Sequence, residues 1–217
     1  EILRPTHVLV TNNGLDHLEG FGSPEGVRKA NAEIYEWARA HGAHAFVNQG
    51  HTDLLADSEA LERSIYRVGA PVETQLIGNY NFENIYAALA VGEYFGVSST
   101  EALEAVASYR STNNRSQSLE KDGNTLILDC YNANPSSMTL ALQSFVESAK
   151  SPRGVILGDM LELGGYAQAE HEKIVAWLMQ NKFDVVVLIG ENFKQALEKV
   201  KTDYVWFSDS TKARDWF

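Results

Sequence analysis

The apolar positions of this chain follow two alternating patterns, short continuous runs and helical spacings of three and four residues. The short runs predict buried strands at residues 7–11, 45–47, 126–128, 155–157, 185–189 and 204–207. The helical spacings predict helices over about residues 24–41, 54–68, 81–95, 100–109, 135–149, 167–180, 192–200 and 210–217. Strands that alternate with helices in this way predict an α/β fold with a parallel sheet and right-handed crossovers.

A break in the pattern near residue 70 suggests a domain boundary. Gly69 and Pro71 end the helical spacing, and residues 72–77 alternate like a strand edge or a linker. We therefore predict one domain over residues 1–77 and a second over residues 78–217.

The stretch from Asn114 to Met138 combines a polar loop, a strand and a helix start. The apolar run 126–128 ends on Asp129, and Asn134 can cap a helix in which Pro135 takes the first position. A parallel unit with an acid at the carboxyl end of its strand is where open α/β sheets bind ligands. An ordinary strand-to-helix connection with a capping Asn explains the same pattern, so both interpretations stay open here.

Composition narrows the class of protein. The 217 residues are 44% hydrophobic and 22% charged, as in globular proteins, and the net charge of −11 argues against binding to nucleic acid or to anionic membranes. The single cysteine, Cys130, excludes an internal disulfide and favours a reducing compartment. The start lacks a signal peptide and an initiator methionine, so we expect a piece of a longer cytoplasmic protein.

Two groups of polar residues near predicted helix starts could bind ligands. His17 and Glu19 follow the first strand among glycines, which suits a metal or phosphate site, although a polar turn is the plainer explanation. Asn81 and Asn84 lie three residues apart and share a helix face. Because Asn84 falls inside the apolar pattern, we expect its amide to need a partner.

Further candidates follow along the chain. Arg115 offers a planar fork for phosphate, unless it is simply solvated. Asp159 and Glu162 follow a strand in a glycine-rich loop, and His171 lies on the next predicted helix. The sequence contains no G-x-x-x-x-G-K-[ST] motif, so the usual cradle for the outer phosphates of ATP does not occur in these residues.

Several of these motifs together resemble the Mur ligases. They are TNNG at 11–14, HLEGFGS at 17–23, NxxNxxAA at 81–88, NRSQ at 114–117, DCYNANPSSM at 129–138 and GDMLELG at 158–164 with His171-Glu172. The NANP and GDMLELG stretches are similar to the branch of the family that adds D-Ala-D-Ala. Two open alternatives are a degenerate relative that binds nucleotide without turnover and another amide ligase of the superfamily, of folylpolyglutamate or cyanophycin synthetase type.

The resemblance implies a fold and a reaction. Residues 1–77 are similar to the second half of a P-loop-type central ATPase domain, and residues 78–217 to a Rossmann-like C-terminal domain with a mostly parallel sheet. The implied reaction joins D-Ala-D-Ala to UDP-N-acetylmuramoyl-tripeptide through an acyl phosphate, with ATP and Mg²⁺, in peptidoglycan precursor synthesis. A cytoplasmic monomer without nucleic-acid or membrane partners is expected.

The resemblance also implies roles for individual residues. His17 matches the magnesium ligand, Arg115 the arginine at the ATP phosphates, and both would be catalytic. The implied nucleotide-binding residues are Asn81, Asn84, Arg115, Asp129, Tyr131, Asn132 and Asn134, with Asn84 at the adenine and Asp129 at the ribose. The residues expected near the incoming dipeptide are Asp159, Glu162 and His171.

The chain departs from the family pattern in three places. The P-loop lysine and a magnesium-binding glutamate are expected upstream of residue 1, so this piece alone should not hydrolyse ATP. Asn31 stands where the family usually has a carbamylated lysine for a second magnesium ion, and the neighbouring Lys29 would point elsewhere on a helix. Residues 66–77 are shorter than the corresponding β-rich passage, so they mark either a deletion or a skipped segment.

Overall fold

Residues 3–216 are described by a computed structural model. Contacts between Cα atoms divide the chain into two units, of which the first runs up to Gly14 and continues from Pro24 to Leu128. The second unit comprises Leu15–Ser23 and the chain from Asp129 onward. The family-domain boundary between residues 77 and 78 stays a prediction, because this division follows contacts and not homology.

Strands and helices alternate as the sequence predicts. The strands are β1 His7–Leu9, β2 His44–Asn48, β3 Arg63–Tyr66, β4 Gln117–Lys121, β5 Asn124–Leu128, β6 Gly154–Gly158, β7 Val185–Ile189 and β8 Val205–Phe207. The helices are α1 Leu18–Phe21, α2 Pro24–His41, α3 Thr52–Asp57, α4 Asn81–Tyr94, α5 Ser99–Ser108, α6 Pro135–Ser148, α7 Ala167–Gln180, α8 Glu191–Val200 and α9 Ser210–Trp216. Within residues 3–216, none of the helices has the length and apolar character needed to cross a bilayer.

The first unit contains a three-stranded parallel sheet in the order β1-β2-β3. Every residue of β2 is buried, as expected for the central strand of a covered parallel sheet. Tyr35 and Ala38 of α2 join Val47 and Leu54 in the core of this unit. The predicted strands near residues 7 and 45 and the predicted helix from Pro24 to His41 are confirmed.

The predicted helix over residues 54–68 is wrong. The helix α3 ends at Asp57, and residues Arg63–Tyr66 pair in parallel with β2 as the third strand of the sheet. Ala60 takes a left-handed conformation with φ of 63°, which ends the helical path. Leu54 is 1% exposed whereas Ile65 is 50% exposed, so the residues that suggested one helix face do not share one. Residues 72–77 form a linker and not a strand.

The strand before Asp129 also differs from expectation. Among the described residues β5 pairs only with β4, and the pairing is antiparallel. Asp122 and Gly123 have φ values of 51° and 77°, the left-handed pair that a tight hairpin turn requires. Asp129 therefore follows a two-stranded hairpin and does not lie at the carboxyl edge of a parallel sheet.

The second unit is built on a parallel sheet in the order β6-β7-β8, which confirms the three strands predicted in this part of the chain. Val187 and Leu188 of β7 are fully buried, and α7 and α8 contribute Val175 and Phe193 to the same core. The short helix α1 belongs to this unit, and its Leu18 is only 2% exposed. The second unit thus includes a segment that precedes its sheet by more than 100 residues.

Candidate functional site

His17 lies in the second unit, against the loop that follows β6. Its Nδ1 contacts the Glu162 carboxylate, and the Glu19 backbone N–H donates to the Glu162 carbonyl oxygen over 2.8 Å. Both His17 and Glu162 adopt left-handed backbone conformations, with φ of 54° and 60°. Such conformations cost about 1–3 kcal/mol each and persist where surrounding contacts hold them. The structure therefore brings together two residues that the sequence predicted for different roles.

The surroundings of His17 offer donors for a cation. A cavity of about 430 Å³ is lined by His17, Glu19, Gly20, Phe21 and Glu162. The Asp16 carboxylate lies 4.0 Å from His17 Nε2. In the part of the chain that the structure describes, no three His, Cys, Asp or Glu side chains form a complete metal-binding group. One imidazole and one carboxylate fit Mg²⁺, which binds to few protein groups and completes its shell with water and phosphate oxygens.

Asp159 and His171, predicted near the dipeptide, contact each other in the interior of the second unit. The Asp159 carboxylate accepts hydrogen bonds from the backbone N–H groups of Asn192 and Phe193, at 2.9 and 3.0 Å, and so caps α8. His171 is fully buried; its Nε2 accepts from the Met160 N–H at 3.0 Å, and its Nδ1 donates to a carbonyl at the start of α7. A role at the substrate stays a prediction for both residues, whose observed contacts stabilise the loop that carries Glu162.

Burial determines the protonation of His171. Removal from water lowers the pKa of the imidazole below its ordinary value, although its bond to the Ala167 carbonyl and the nearby Asp159 and Glu170 charges act in the other direction. A neutral ring has one N–H and one acceptor nitrogen, and both are used here.

Asn81 and Asn84 both lie in the first turn of α4, and they differ in burial. Asn81 is the buried amide, and it donates to the Ile77 carbonyl at 2.7 Å. Asn84 is exposed and donates to Asn81 Oδ1 at 3.3 Å. Asn84 is not buried, contrary to what its place in the apolar pattern suggested, whereas the expected partner for its amide and the helix face that it shares with Asn81 are confirmed. An apolar cavity of about 410 Å³ between α4 and α5 has Asn84 in its lining, with Ile85, Leu89, Val106 and Tyr109 among the other wall residues.

Arg115 is exposed on a loop that hydrogen bonds hold at Arg115 itself and at the neighbouring Ser116. Asn114 and Ser116 have φ values of 58° and 49°, and the Ser111 hydroxyl donates to the Arg115 carbonyl oxygen. The side chain of Ser116 is buried and hydrogen-bonds to the Tyr80 hydroxyl. Two left-handed residues in a row of three indicate that this loop holds its shape, and thus the position of Arg115, at a conformational cost.

The remaining predicted nucleotide residues belong to the second unit, whereas Asn81, Asn84 and Arg115 belong to the first. Asp129, Tyr131 and Asn132 are exposed, and Tyr131 is 67% exposed. Asn134 caps α6, where its side chain accepts from the Ser137 N–H at 2.8 Å. The capping role predicted for Asn134 is confirmed, and its nucleotide role stays a prediction.

Asn31 takes part in a chain of hydrogen bonds that the sequence did not reveal. Its amide donates to Asn13 Oδ1 at 2.9 Å, and the Asn13 amide donates to the Asp53 carboxylate at 2.6 Å. Although burial opposes ionisation of Asp53, the bonds from Asn13 and from backbone N–H groups hold its pKa below the ordinary value. Asn13 follows β1 and Asp53 follows β2 of the same parallel sheet. Their positions after the carboxyl ends of parallel strands could have identified them from the sequence as candidate site residues.

Comparisons with known proteins show what this chain is similar to. Residues 114–216 match the family described as Mur ligase, glutamate ligase domain. The UDP-N-acetylmuramoyl-tripeptide–D-alanyl-D-alanine ligase of Bacillus subtilis is 28% identical over 218 residues, which cover 88% of this chain and 47% of that protein. This chain thus spans about half the length of the curated relatives that it matches.

Solved structures agree on the fold. The crystal structure of MurF from Acinetobacter baumannii superimposes with a TM-score of 0.83 at 24% identity, covering 98% of this chain and 52% of the other. The structure of the MurF ligase from Thermotoga maritima in complex with ADP gives a TM-score of 0.80 at 20% identity and covers 98% and 55%. The matching family domain over residues 114–216 and the shared fold over nearly the whole chain show that this chain is similar to the Mur ligases.

Proposed function

We propose that this chain is the nucleotide- and metal-binding half of an ATP-dependent ligase that joins D-Ala-D-Ala to UDP-N-acetylmuramoyl-tripeptide. The observation that carries the proposal is the 28% identity, over 88% of the chain, to the B. subtilis protein of that name. A cytoplasmic monomer remains the prediction for the complete protein.

The first unit would hold the adenine and the phosphates. The exposed Asn84 amide stands beside an apolar cavity, and an asparagine amide can pair with the edge of adenine while apolar walls contact its face. The fastened loop around Arg115 would present a guanidinium fork, which matches the paired oxygens of a phosphate. The Thermotoga maritima relative is described in complex with ADP, which supports a nucleotide of this type.

The second unit carries the proposed metal ligands and four of the residues that the sequence predicts for nucleotide binding. His17 and Asp16 offer two donors to Mg²⁺, which when bound neutralises phosphate charge during phosphoryl transfer. Exposed Asp129 could accept hydrogen bonds from ribose hydroxyl groups, and Tyr131 and Asn132 follow it on the same loop. Arg115 would orient the phosphates and stabilise charge as the acyl phosphate forms.

Binding of ADP to the chain tests the nucleotide part directly. Calorimetry on the wild type, Asn84→Ala and Arg115→Ala should show a loss of affinity of about tenfold or more in Arg115→Ala, since a hydrogen bond to a charged group contributes about 1.5–3 kcal/mol. The loss in Asn84→Ala should be about two- to tenfold, because its bond to adenine joins two neutral groups and contributes about 0.5–1.5 kcal/mol. Arg110→Ala removes the same charge from a nearby exposed position and should bind ADP like the wild type. Equal affinity in all four proteins would contradict the proposal.

Turnover requires a separate test. The 217 residues contain no P-loop motif, so we expect no release of phosphate from ATP by this chain alone. A longer product of the same gene that contains the motif should release phosphate only when both UDP-N-acetylmuramoyl-tripeptide and D-Ala-D-Ala are present. Release with a different acid and amine pair would favour another ligase of the superfamily.

A second candidate function is nucleotide binding without ligation. The bond from Asn31 to Asn13 favours it, because a neutral amide stands where the family uses a carbamylated lysine. The two candidates differ in one measurement: a degenerate relative would bind ADP, and its longer form would release no phosphate with any substrate pair.

A further inference from the structure

We infer that Glu162 is a positioning residue that sets the tautomer of His17 and thereby leaves Nε2 as the atom that faces a metal ion. The inference rests on the proposed function for the identity of that ion. It concerns a residue for which the sequence suggested only a contact with the dipeptide.

Backbone contacts bring Glu162 to His17 before their side chains meet. The Glu19 N–H donates to the Glu162 carbonyl oxygen over 2.8 Å. Gly164 approaches Glu19 so closely that an added Cβ would lie 3.3 Å from the Glu19 Cα. Leu18, which lies between His17 and Glu19, is buried in the second unit. These contacts join parts of the chain that lie about 145 residues apart in sequence.

The backbone conformations of His17 and Glu162 indicate that surrounding contacts hold these two residues in place. His17 and Glu162 both occupy the left-handed region, which residues with a Cβ seldom adopt. Hydrogen bonds also hold the loop that carries Glu162, since Asp159 caps α8 and the Met160 N–H donates to the buried His171. The backbone of Glu162 is therefore held in place, although 59% of its side chain is exposed.

The chemistry of the contact determines the proton position on the ring. A carboxylate only accepts hydrogen bonds, so the His17 Nδ1 that contacts Glu162 must carry a hydrogen. In the neutral imidazole the other nitrogen, Nε2, then has a free electron pair. The Asp16 carboxylate lies 4.0 Å from Nε2, too far for a hydrogen bond and suitable for two groups that share one cation. A carboxylate on the far nitrogen is the arrangement that orients metal-binding histidines in general.

Nitrogen NMR of the ring tests the tautomer without metal or nucleotide. Long-range ¹H–¹⁵N spectra of the ¹⁵N-histidine-labelled chain at pH 8 should show His17 protonated at Nδ1. In Glu162→Ala, which has no acceptor, we expect the fraction of this tautomer to fall to a minority, whereas the amide oxygen of Glu162→Gln can still accept from Nδ1 and should retain more of it. Glu198→Gln removes an equally exposed carboxylate from the same unit and should leave the His17 spectrum unchanged.

A metal titration tests the consequence. Mn²⁺ can be followed by electron paramagnetic resonance in the presence of ADP, and Glu162→Ala should weaken its binding by about 10- to 100-fold, the usual effect of losing such a partner. Backbone amide spectra of each variant show whether the fold is retained.

The outcomes separate this inference from the proposed function. A wild-type ring protonated at Nε2, or an unchanged tautomer in Glu162→Ala, would overturn the role of Glu162. An unchanged Mn²⁺ affinity in Glu162→Ala would overturn its link to the metal. A wild type that has the expected tautomer and binds no Mn²⁺ would support the role of Glu162 in setting the ring and would instead refute the metal part of the proposed function.

Discussion

Replacement of Asp159 by asparagine tests whether this residue stabilises the second unit. The change keeps the shape of the side chain and replaces one carboxylate oxygen by an NH₂ group. Both oxygens accept backbone N–H bonds in the wild type, from Asn192 and Phe193 in the first turn of α8. The new NH₂ group would therefore face a backbone donor, and one buried N–H would lose its acceptor.

The structure allows the size of the effect to be worked out. Loss of a hydrogen bond to a charged acceptor costs about 1.5–3 kcal/mol, and loss of the negative charge at the start of a helix adds about 0.3–1 kcal/mol. Water cannot readily replace the lost partner, because only 13% of the Asp159 side chain is exposed. We expect the free energy of unfolding to fall by roughly 2–4 kcal/mol, which lowers the Tm of a unit of about 100 residues by roughly 8–30 °C.

Scanning calorimetry and urea unfolding measure the change. Asp209→Asn is a matched control, because Asp209 caps α9 by accepting from the Lys212 N–H at 3.0 Å but has 48% of its side chain exposed. Solvent can satisfy that helix start, so its Tm should change much less. Equal decreases in Tm in the two variants would refute the reasoning. A Tm for Asp159→Asn within about 1 °C of the wild type would refute it as well.

Four further predictions use the same protein. Burial lowers the pKa of His171 from the ordinary 6.5, so the unfolded chain binds the proton more readily than the folded chain. The free energy of unfolding should therefore decrease as the pH falls below about 6.5, by at most about 1.4 kcal/mol per pH unit. His171→Gln should reduce this pH dependence in urea titrations. Leu18→Ala removes a side chain that is 2% exposed and should make residues 15–23 sensitive to limited proteolysis, whereas unchanged cleavage would show that backbone contacts suffice. Gly190→Ala places a Cβ 2.3 Å from the Asp159 carboxylate carbon at φ of 115°, so its thermal denaturation should shift down at least as far as that of Asp159→Asn, and a wild-type Tm would contradict this. Asn31→Lys breaks the bond to Asn13 and should gain no carbamate signal over the wild type in ¹³C-bicarbonate NMR, because the Asp53 carboxylate can pair with the new ammonium group; a carbamate signal would contradict this pairing.

Local patterns predicted most of the helices and strands correctly. The helix start at Asn134-Pro135 depends on a cap and a fixed φ angle within one turn, so neighbouring residues suffice to specify it. The strands near residues 155 and 185 are short apolar runs, a local pattern that is enough to predict a strand, although the central residues of β7 are buried and Ile156 of β6 is exposed. The family resemblance depends on short motifs of the same local kind.

Distant contacts account for the errors. Residues 63–66 have a helix-like spacing, and they become a strand because β2 offers a ladder of backbone hydrogen bonds. The strand before Asp129 satisfies its backbone groups with the preceding β4, which no period within 126–128 indicates. Asn81 and not Asn84 is buried, because the chain before α4 places the Ile77 carbonyl within its reach.

The candidate site shows the same division. Residue type and position in a polar loop were enough to select His17, Arg115 and Glu162 from the chain, because imidazole, guanidinium and carboxylate groups are chemically suited to metals and phosphates. Their partners were decided only by the fold: Glu162 meets His17 across 145 residues, and Asp159 caps a helix that begins 32 residues later. Local propensity acts within about one helical turn, whereas such pairings arise when separate elements pack together, so only the tertiary structure determines that Nδ1 is the ring nitrogen of His17 that contacts Glu162.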